Sequence, residues 1–333
     1  MAYLNMAINL HNPYYRLYNL ILFVTSKCNG KCKGCLYSKK LNKAEDLSLD
    51  EIEKISQKIG NIRHLMISGG EPFLRDDLPR ICKYFIKNNK TKLITIPTNG
   101  LMPDKISAQT SKLLKNKDCH FGIGVSIDGT REKNYHHRGS KFAFSNAIQT
   151  YAKLQELYNM NKNLSTRFSS RITKENSEDL IKLNKFLKKK FPGCYHSATP
   201  IRGKIQDNVH KPEPEQYLKT IKAIKGKNLF TNSRQNFMAN ILRGNKWPFP
   251  CVAGEKIAVI DSDGHVRLCE LLEPVGDIRK FDYDYNVVIK NSKSRKQMEE
   301  IKTGDCSKGC THGCFLEPSA FNNPLNLFKI LNS

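Results

Sequence analysis

Short apolar runs alternate with longer amphipathic stretches through the first 200 residues, and this alternation restricts the fold more than any other feature. Runs at Leu20–Val24, His64–Ser68, Lys92–Ile96, Phe121–Ile127, Leu164–Ser170 and Cys194–Thr199 read as strands. Between them, Leu49–Ile59, Leu78–Asn88, Asp104–Leu114, Lys141–Leu157 and Ser177–Lys189 carry apolar residues at helical spacing, as in Ile52, Ile55 and Ile59. Short strands without polar alternation belong to parallel sheets covered by helices on their faces. Six such units with right-handed crossovers predict an α/β fold, a partial (β/α)6 barrel. Its chemistry should lie in loops at the carboxyl ends of the strands.

After Thr199 the pattern changes. Pro200–Pro214 is polar, Glu215–Ile224 and Arg234–Leu242 are helix-like, and Trp247–Pro250 breaks the chain. Ile257–Ile260 and His265–Leu268 flank Asp261-Ser-Asp-Gly264, where glycine can take the positive φ of a hairpin turn. The expected organisation is a lead-in over 1–18, the barrel over 19–205, a helical connector over 206–250, a small β-hairpin/loop domain over 251–316 and a tail over 317–333. The tail, with Phe321, Leu325, Leu327 and Phe328, is expected to fold back onto the barrel.

No apolar run approaches the ~18–20 residues that span a bilayer, so no membrane insertion is expected. Leu20–Val24 is too short for the core of an export signal, and a cytoplasmic location is expected. In a reducing cytosol, grouped cysteines more often mean metal or catalysis than disulfides. Lys and Arg number 55 against 31 Asp and Glu, a net charge of +24. The basic residues are spread over Lys39–Lys43, Lys182–Lys190, Lys219–Lys227 and Lys290–Lys302, which suits a solubilising surface. An anionic substrate or RNA is compatible with this charge without being selected by it.

Of the 11 cysteines, three follow the first strand directly, as Cys28-Asn-Gly-Lys-Cys32-Lys-Gly-Cys35. Three thiolates leave a coordination position of an inorganic centre open, which suits chemistry on a bound substrate. A zinc ion completed by a distant ligand is the alternative. Gly69-Gly70-Glu71-Pro72 follows the second strand, where glycines let backbone approach a ligand and a carboxylate suits an ammonium group. Thr98-Asn99-Gly100 ends the third strand and Ser126-Ile-Asp128-Gly129 the fourth; as bare motifs these also read as turns.

A second group is Cys251 and Cys269, followed by Cys306-Ser-Lys-Gly-Cys310-Thr-His-Gly-Cys314. On spacing alone, a structural zinc ribbon and an iron–sulfur cluster both remain open. Five thiols are too few for two fully ligated clusters, which take about eight. Cys82, Cys119 and Cys194 read as core residues, His312 as a solvated loop histidine, and Trp247 as packing over the cluster side.

The first cysteine motif and the glycine-rich segment after it resemble the radical S-adenosylmethionine (SAM) superfamily. One departure is Gly34, where the family usually has an aromatic residue before the third cysteine; Tyr37 comes two residues after Cys35 instead. The resemblance implies a [4Fe–4S] cluster on Cys28, Cys32 and Cys35 that chelates SAM. It also implies Gly69, Gly70, Glu71, Pro72, Thr98, Asn99, Ser126, Asp128, Ser170 and Arg202 as cofactor-binding residues. Cys251 and the cysteines after it resemble the family's SPASM and twitch extensions. These imply one auxiliary [4Fe–4S] cluster, with Cys251, Cys269, Cys306, Cys310 and Cys314 as candidate ligands. Cys306 is the expected spare thiol, available as a hydrogen-atom donor in catalysis.

The implied activity is reductive cleavage of SAM to a 5′-deoxyadenosyl radical and removal of a hydrogen atom from a small molecule, ending in dehydrogenation, epimerisation or rearrangement. Because the cysteine trio begins at residue 28, a small molecule is expected rather than a peptide. The implied reductant is a flavodoxin- or ferredoxin-like protein. The rival readings are a radical SAM enzyme acting on a peptide or RNA, and a basic zinc protein that binds nucleic acid.

Overall fold

The computed structural model describes residues 10–203, 208–225 and 229–331. Half of the lead-in and parts of the connector therefore lie outside the described residues.

Six parallel strands form the barrel wall: β1 Leu17–Phe23, β2 Ile62–Ser68, β3 Leu93–Thr98, β4 His120–Ser126, β5 Leu164–Ile172 and β6 His196–Pro200. Crossovers carry α1 Leu49–Lys58, α2 Leu78–Asn89, α3 Pro103–Leu113, α4 Arg131–Arg138, α5 Ala143–Met160 and α6 Ser177–Lys190. α4 is unannounced in the sequence because it is polar along its whole length and carries no apolar stripe. α1 starts sharply because Ser48 and Glu51 form a capping box. Leu20, Leu22, Leu65, Ile94, Phe121 and Phe168 are fully buried between sheet and helices. Tyr151 of α5 stacks on Phe168 at 3.9 Å between ring centroids. Register brings Phe23 opposite Ser68, Thr98 opposite Val125 and Ser126 opposite Ser169, so the strands' carboxyl ends finish at one level.

The C-terminal hairpin is not a separate layer. β7 Ile257–Ile260 pairs in parallel with β1, and β8 His265–Arg267 and β9 Gly276–Asp277 continue antiparallel. The sheet is thus one nine-stranded unit in the order β6-β5-β4-β3-β2-β1-β7-β8-β9. Every residue of β7 is buried, the mark of an interior strand rather than an exposed hairpin arm. Ion pairs lock the junction: Lys40 reaches Asp261 and Asp263 at 2.8 Å, and Arg279 reaches Glu51 at 2.6 Å.

α7 Pro214–Lys225 and α8 Leu229–Leu242 form the connector, and α9 Ser292–Thr303 leads to the last cysteine group. In the tail, α10 Gly313–Phe321 and α11 Pro324–Leu331 pack on each other, and α11 packs on α8. The Lys329 ammonium donates to the Pro248 carbonyl at 2.9 Å. The tail thus covers the connector rather than the barrel strands; the side chains of Leu327 and Phe328 lie outside the described ones. Among the described residues, no helix is long and apolar enough to cross a membrane.

Candidate active site

A cavity of about 460 Å3 opens at the carboxyl ends of the strands. That volume is of the size that holds small ligands. Cys28, Cys32 and Cys35 line it, opposite Ser126, Asp128, Arg171 and Arg202. The cysteine loop wraps Gly30, whose missing side chain would meet the sulfurs of Cys28 and Cys32 at 3.6 and 3.7 Å. Donors point at the sulfurs: Gly30 N–H at 3.3 Å and Asn99 Nδ2 at 4.0 Å from Cys28, and Arg138 Nη1 at 3.7 Å from Cys32. Burial pushes the Cys28 thiol up to about 11, and the Gly30 amide only partly offsets this. Such donors and the Arg138 cation favour thiolate, the form that binds iron. Three thiols around a glycine loop with N–H donors at sulfur fit a cluster that keeps one position open.

Gly69 and Gly70 line the same cavity, for a different reason from the expected one. A Cβ on Gly70 would lie 2.1 Å from the Lys27 carbonyl oxygen, and one on Gly69 2.4 Å from that of Thr25. The glycines let this segment lie directly against the chain entering the cysteine loop, through Gly70 N to Thr25 O and Glu71 N to Lys27 O, both 2.8 Å. Gly69 also has φ +119, outside the range L side chains adopt readily.

Glu71 is buried and its carboxylate is already engaged. Thr98 Oγ1 donates to Oε1 at 2.8 Å, Asn99 N to Oε2 at 2.7 Å and Phe73 N to Oε1 at 3.2 Å. It ties the β2 and β3 loops together. Burial still pushes its carboxyl up to about 7, because these donors are neutral.

Thr98, Asn99, Ser126, Asp128 and Arg202 all reach the cavity wall. Ser170 and Pro72 do not. Ser170 is turned to the helix side of β5, bonded to the Ile127 carbonyl and, at 2.8 Å, to His196 Nε2. Strand alternation explains this: Ser169 and Arg171 share the lumen parity and Ser170 the other. Pro72 is buried at the start of a short helical turn. Asp128 holds two partners: Oδ1 accepts the Arg171 amide at 2.7 Å and Oδ2 pairs with Arg138 Nε at 2.7 Å.

A second, smaller cavity of about 210 Å3 has Cys251, Cys269, Cys306 and Cys310 on its wall, with Trp247, Ile301 and Phe315. Cys314 is on neither of these two walls. The resemblance implies Cys306 as the spare thiol; Cys306 is on this wall, whereas Cys314, the second residue of α10, is not. Burial raises the Cys314 thiol, yet the hydrogen bond from His312 and the nearby Arg202 outweigh that and hold it below its ordinary value.

His312 is fully buried, not solvated. Its Nε2 lies 2.7 Å from Glu270 Oε2, and Arg202 Nη2 reaches the same oxygen at 2.7 Å. Glu270 lines the large cavity and His312 the small one, so this trio forms the wall between them. Although burial opposes ionisation, Arg202 and His312 hold the Glu270 carboxyl well below the usual carboxylate range. Arg138, Arg171 and Glu270 were not anticipated from sequence. Strand parity on β5 and the adjacency of Glu270 to Cys269 were the available signals.

The family model described as "Radical SAM superfamily" matches residues 22–187. The chain is 33% identical over 136 residues to "Fe-coproporphyrin III synthase" of Methanosarcina barkeri, covering 40% of this chain and 33% of that protein. It is 45% identical over 115 residues to a "Probable GTP 3',8-cyclase" of Methanococcus maripaludis, covering 32% and 35%. The chain thus spans about a third of these curated relatives. Among solved structures, "Native anSMEcpe with bound AdoMet and Cp18Cys peptide" matches with TM-score 0.60 and 17% identity, over 95% of this chain and 99% of that one. SuiB of Streptococcus suis matches with TM-score 0.53 and 16% identity, over 90% and 75%. These two likenesses are of fold. With its three-cysteine loop at the mouth of the parallel sheet and this match over residues 22–187, the chain belongs to the radical SAM superfamily, whose cofactors are SAM and a [4Fe–4S] cluster.

Proposed function

We propose that the protein is an oxidoreductase- or epimerase-type radical SAM enzyme that removes a hydrogen atom from a small molecule, ending in dehydrogenation, epimerisation or rearrangement. One observation carries the reading: Cys28, Cys32 and Cys35 open onto a cavity of about 460 Å3 at the carboxyl ends of the strands. When bound there, the cluster and SAM supply a 5′-deoxyadenosyl radical on one-electron reduction. Asn99, Arg138 and the Gly30 amide stabilise thiolates at the cluster loop. Glu71 fixes the loops that frame it, and Ser126 and Asp128 present polar groups from the end of β4. The substrate would be held near the cysteine loop.

Cys251, Cys269, Cys306 and Cys310 would hold one auxiliary [4Fe–4S] cluster of SPASM or twitch type, with Cys314 the spare thiol. No three His, Cys, Asp or Glu side chains among the described residues converge closely enough for a single metal ion. A tetrahedral zinc with sulfurs about 2.3 Å from the metal needs that convergence, whereas a cluster several atoms across takes thiols set farther apart. An electron-donor protein of flavodoxin or ferredoxin type, acidic on its surface, suits the +24 charge.

The test is dithionite-dependent release of 5′-deoxyadenosine from the anaerobically reconstituted enzyme, followed by deuterium transfer into that product from candidate substrates. Reconstituted protein that held zinc and no sulfide would sink the reading.

A further inference from the structure

We propose that Arg171 is an anion-binding residue of the large cavity and that the substrate carries a carboxylate or phosphate group which it pairs. This rests on the radical SAM reading of the cavity and deepens it by naming a substrate class.

The argument is one of charge already spoken for. Among the described residues, six cationic side chains line the cavity: Lys39, Lys40, Arg138, Arg171, Arg202 and Arg267. Four have carboxylate partners on the protein. Lys40 and Arg267 share Asp261, Arg138 holds Asp128, and Arg202 holds Glu270. Arg171 has none. Asp128 and Glu270 act on Arg171 through their charge but form no ion pair with it: Asp128 accepts the Arg171 amide and pairs with Arg138, and Glu270 pairs with Arg202 and His312. The rim carboxylate Glu273 and the exposed Lys39 both lie in flexible-length side chains at the mouth, where solvent screens them.

Arg171 is also held ready. It sits near the end of β5, paired with β6 on one side and with its amide on Asp128 Oδ1 on the other, and Nη1 donates to the hydroxyl of its register partner Thr199. That bond uses one of five guanidinium donors and leaves the rest of the fork facing the cavity. Its exposure is to the cavity, with protein packed around it, and burial together with repulsion from Arg202 pulls its pKa down to about 10. An incoming anion relieves both effects. A planar fork set in a partly desolvated wall suits a two-oxygen group of a carboxylate or phosphate.

The experiment uses the reconstituted holoenzyme and the arginine reagent phenylglyoxal, with modification of Arg171 followed by peptide mass spectrometry. Inorganic phosphate, malonate and SAM are added separately. Protection by phosphate supports a phosphorylated substrate, and protection by malonate supports a carboxylate; each is expected to slow modification about tenfold. Protection by neither overturns the proposal. Protection by SAM alone also overturns it, since Arg171 would then hold the SAM carboxylate. Calorimetry gives a second measure: Arg171→Gln should weaken binding of the protecting anion about tenfold or more and Arg171→Lys should restore part of it, while SAM affinity stays unchanged. Labelling the wild-type protein keeps the test valid even if a variant fails to fold. Failure of the underlying reading looks different: no 5′-deoxyadenosine, with anion protection of Arg171 intact.

Discussion

Two buried glutamates line the large cavity, Glu71 beside the first cysteine trio and Glu270 next to Cys269, and they are held in opposite ways. Glu71, beside the first trio, accepts only from neutral donors, two backbone amides and the Thr98 hydroxyl. Glu270, beside the second group, is clasped by Arg202 and His312. Burial therefore wins at Glu71, whose carboxyl is pushed up to about 7, and loses at Glu270, which stays ionised. The first site is thus framed by a carboxylate that can shed its charge and opens to ligand. The second is walled by the Arg202–Glu270 ion pair, with His312 against the same carboxylate oxygen. The wall separates the large cavity, with the first trio, from the small one, with Cys251, Cys269, Cys306 and Cys310.

The largest expected effect breaks the first site outright. Changing Cys28, Cys32 and Cys35 to Ala should abolish dithionite-dependent 5′-deoxyadenosine and remove about four irons per chain, while the second complement remains. If activity survived, the assignment of the open chamber would be wrong. The second site is probed by a pair of single variants. Cys306→Ala should lose about four irons, one [4Fe–4S] complement, and Cys314→Ala should keep them. The reverse pattern would return Cys314 to the ligand set and make Cys306 the spare thiol.

That pair also marks where sequence stopped being sufficient. Strand and helix positions in the barrel followed from periodicity because each β-α unit is local, and β2, expected at His64–Ser68, runs Ile62–Ser68. The cavity-lining role of Thr98, Asn99, Ser126 and Asp128 followed from their place at strand ends. Ser170 was misplaced by one step of strand parity, which a period of two turns into the opposite face. The pairing of β7 with β1 joins residues more than 230 positions apart, as Asn19 and Ile257 do, and no local pattern announces it. Nor does spacing reveal that a helix starting at Gly313 carries Cys314 off the wall, or that His312 is drawn inside to meet Glu270.

The next test sharpens the contrast between the glutamates. Glu270→Gln leaves Arg202 in a buried wall without its counter-charge. It should destabilise the protein by about 3–5 kcal/mol in urea unfolding, the cost of orphaning a buried ion. Glu71→Gln keeps an acceptor for neutral donors and should cost about 1–3 kcal/mol. Equal losses would show that the Arg202–Glu270 ion pair contributes no more than ordinary hydrogen bonds.

The smallest expected effect is a difference of slope with pH. The folded Glu71 carboxyl titrates at about 7 and the ordinary value is 4.5, so the folded state keeps a proton that the unfolded chain has released over that interval. Stability contributed by Glu71 is therefore greatest at or below pH 4.5, declines as pH rises to 7, and is level above it. The full change is up to about 3 kcal/mol. Glu270 runs the other way: its carboxyl is depressed, so its contribution is complete above the ordinary carboxylate range and is lost on acidification. Subtracting the unfolding free energy of Glu71→Gln from that of the wild type between pH 4.5 and 7.5 isolates the first slope. A difference that declines with pH supports a carboxylate held by neutral donors. A flat difference would mean that Arg138, which also lowers this group's pKa, neutralises Glu71 as fully as Arg202 and His312 neutralise Glu270, and the contrast between the two sites would dissolve.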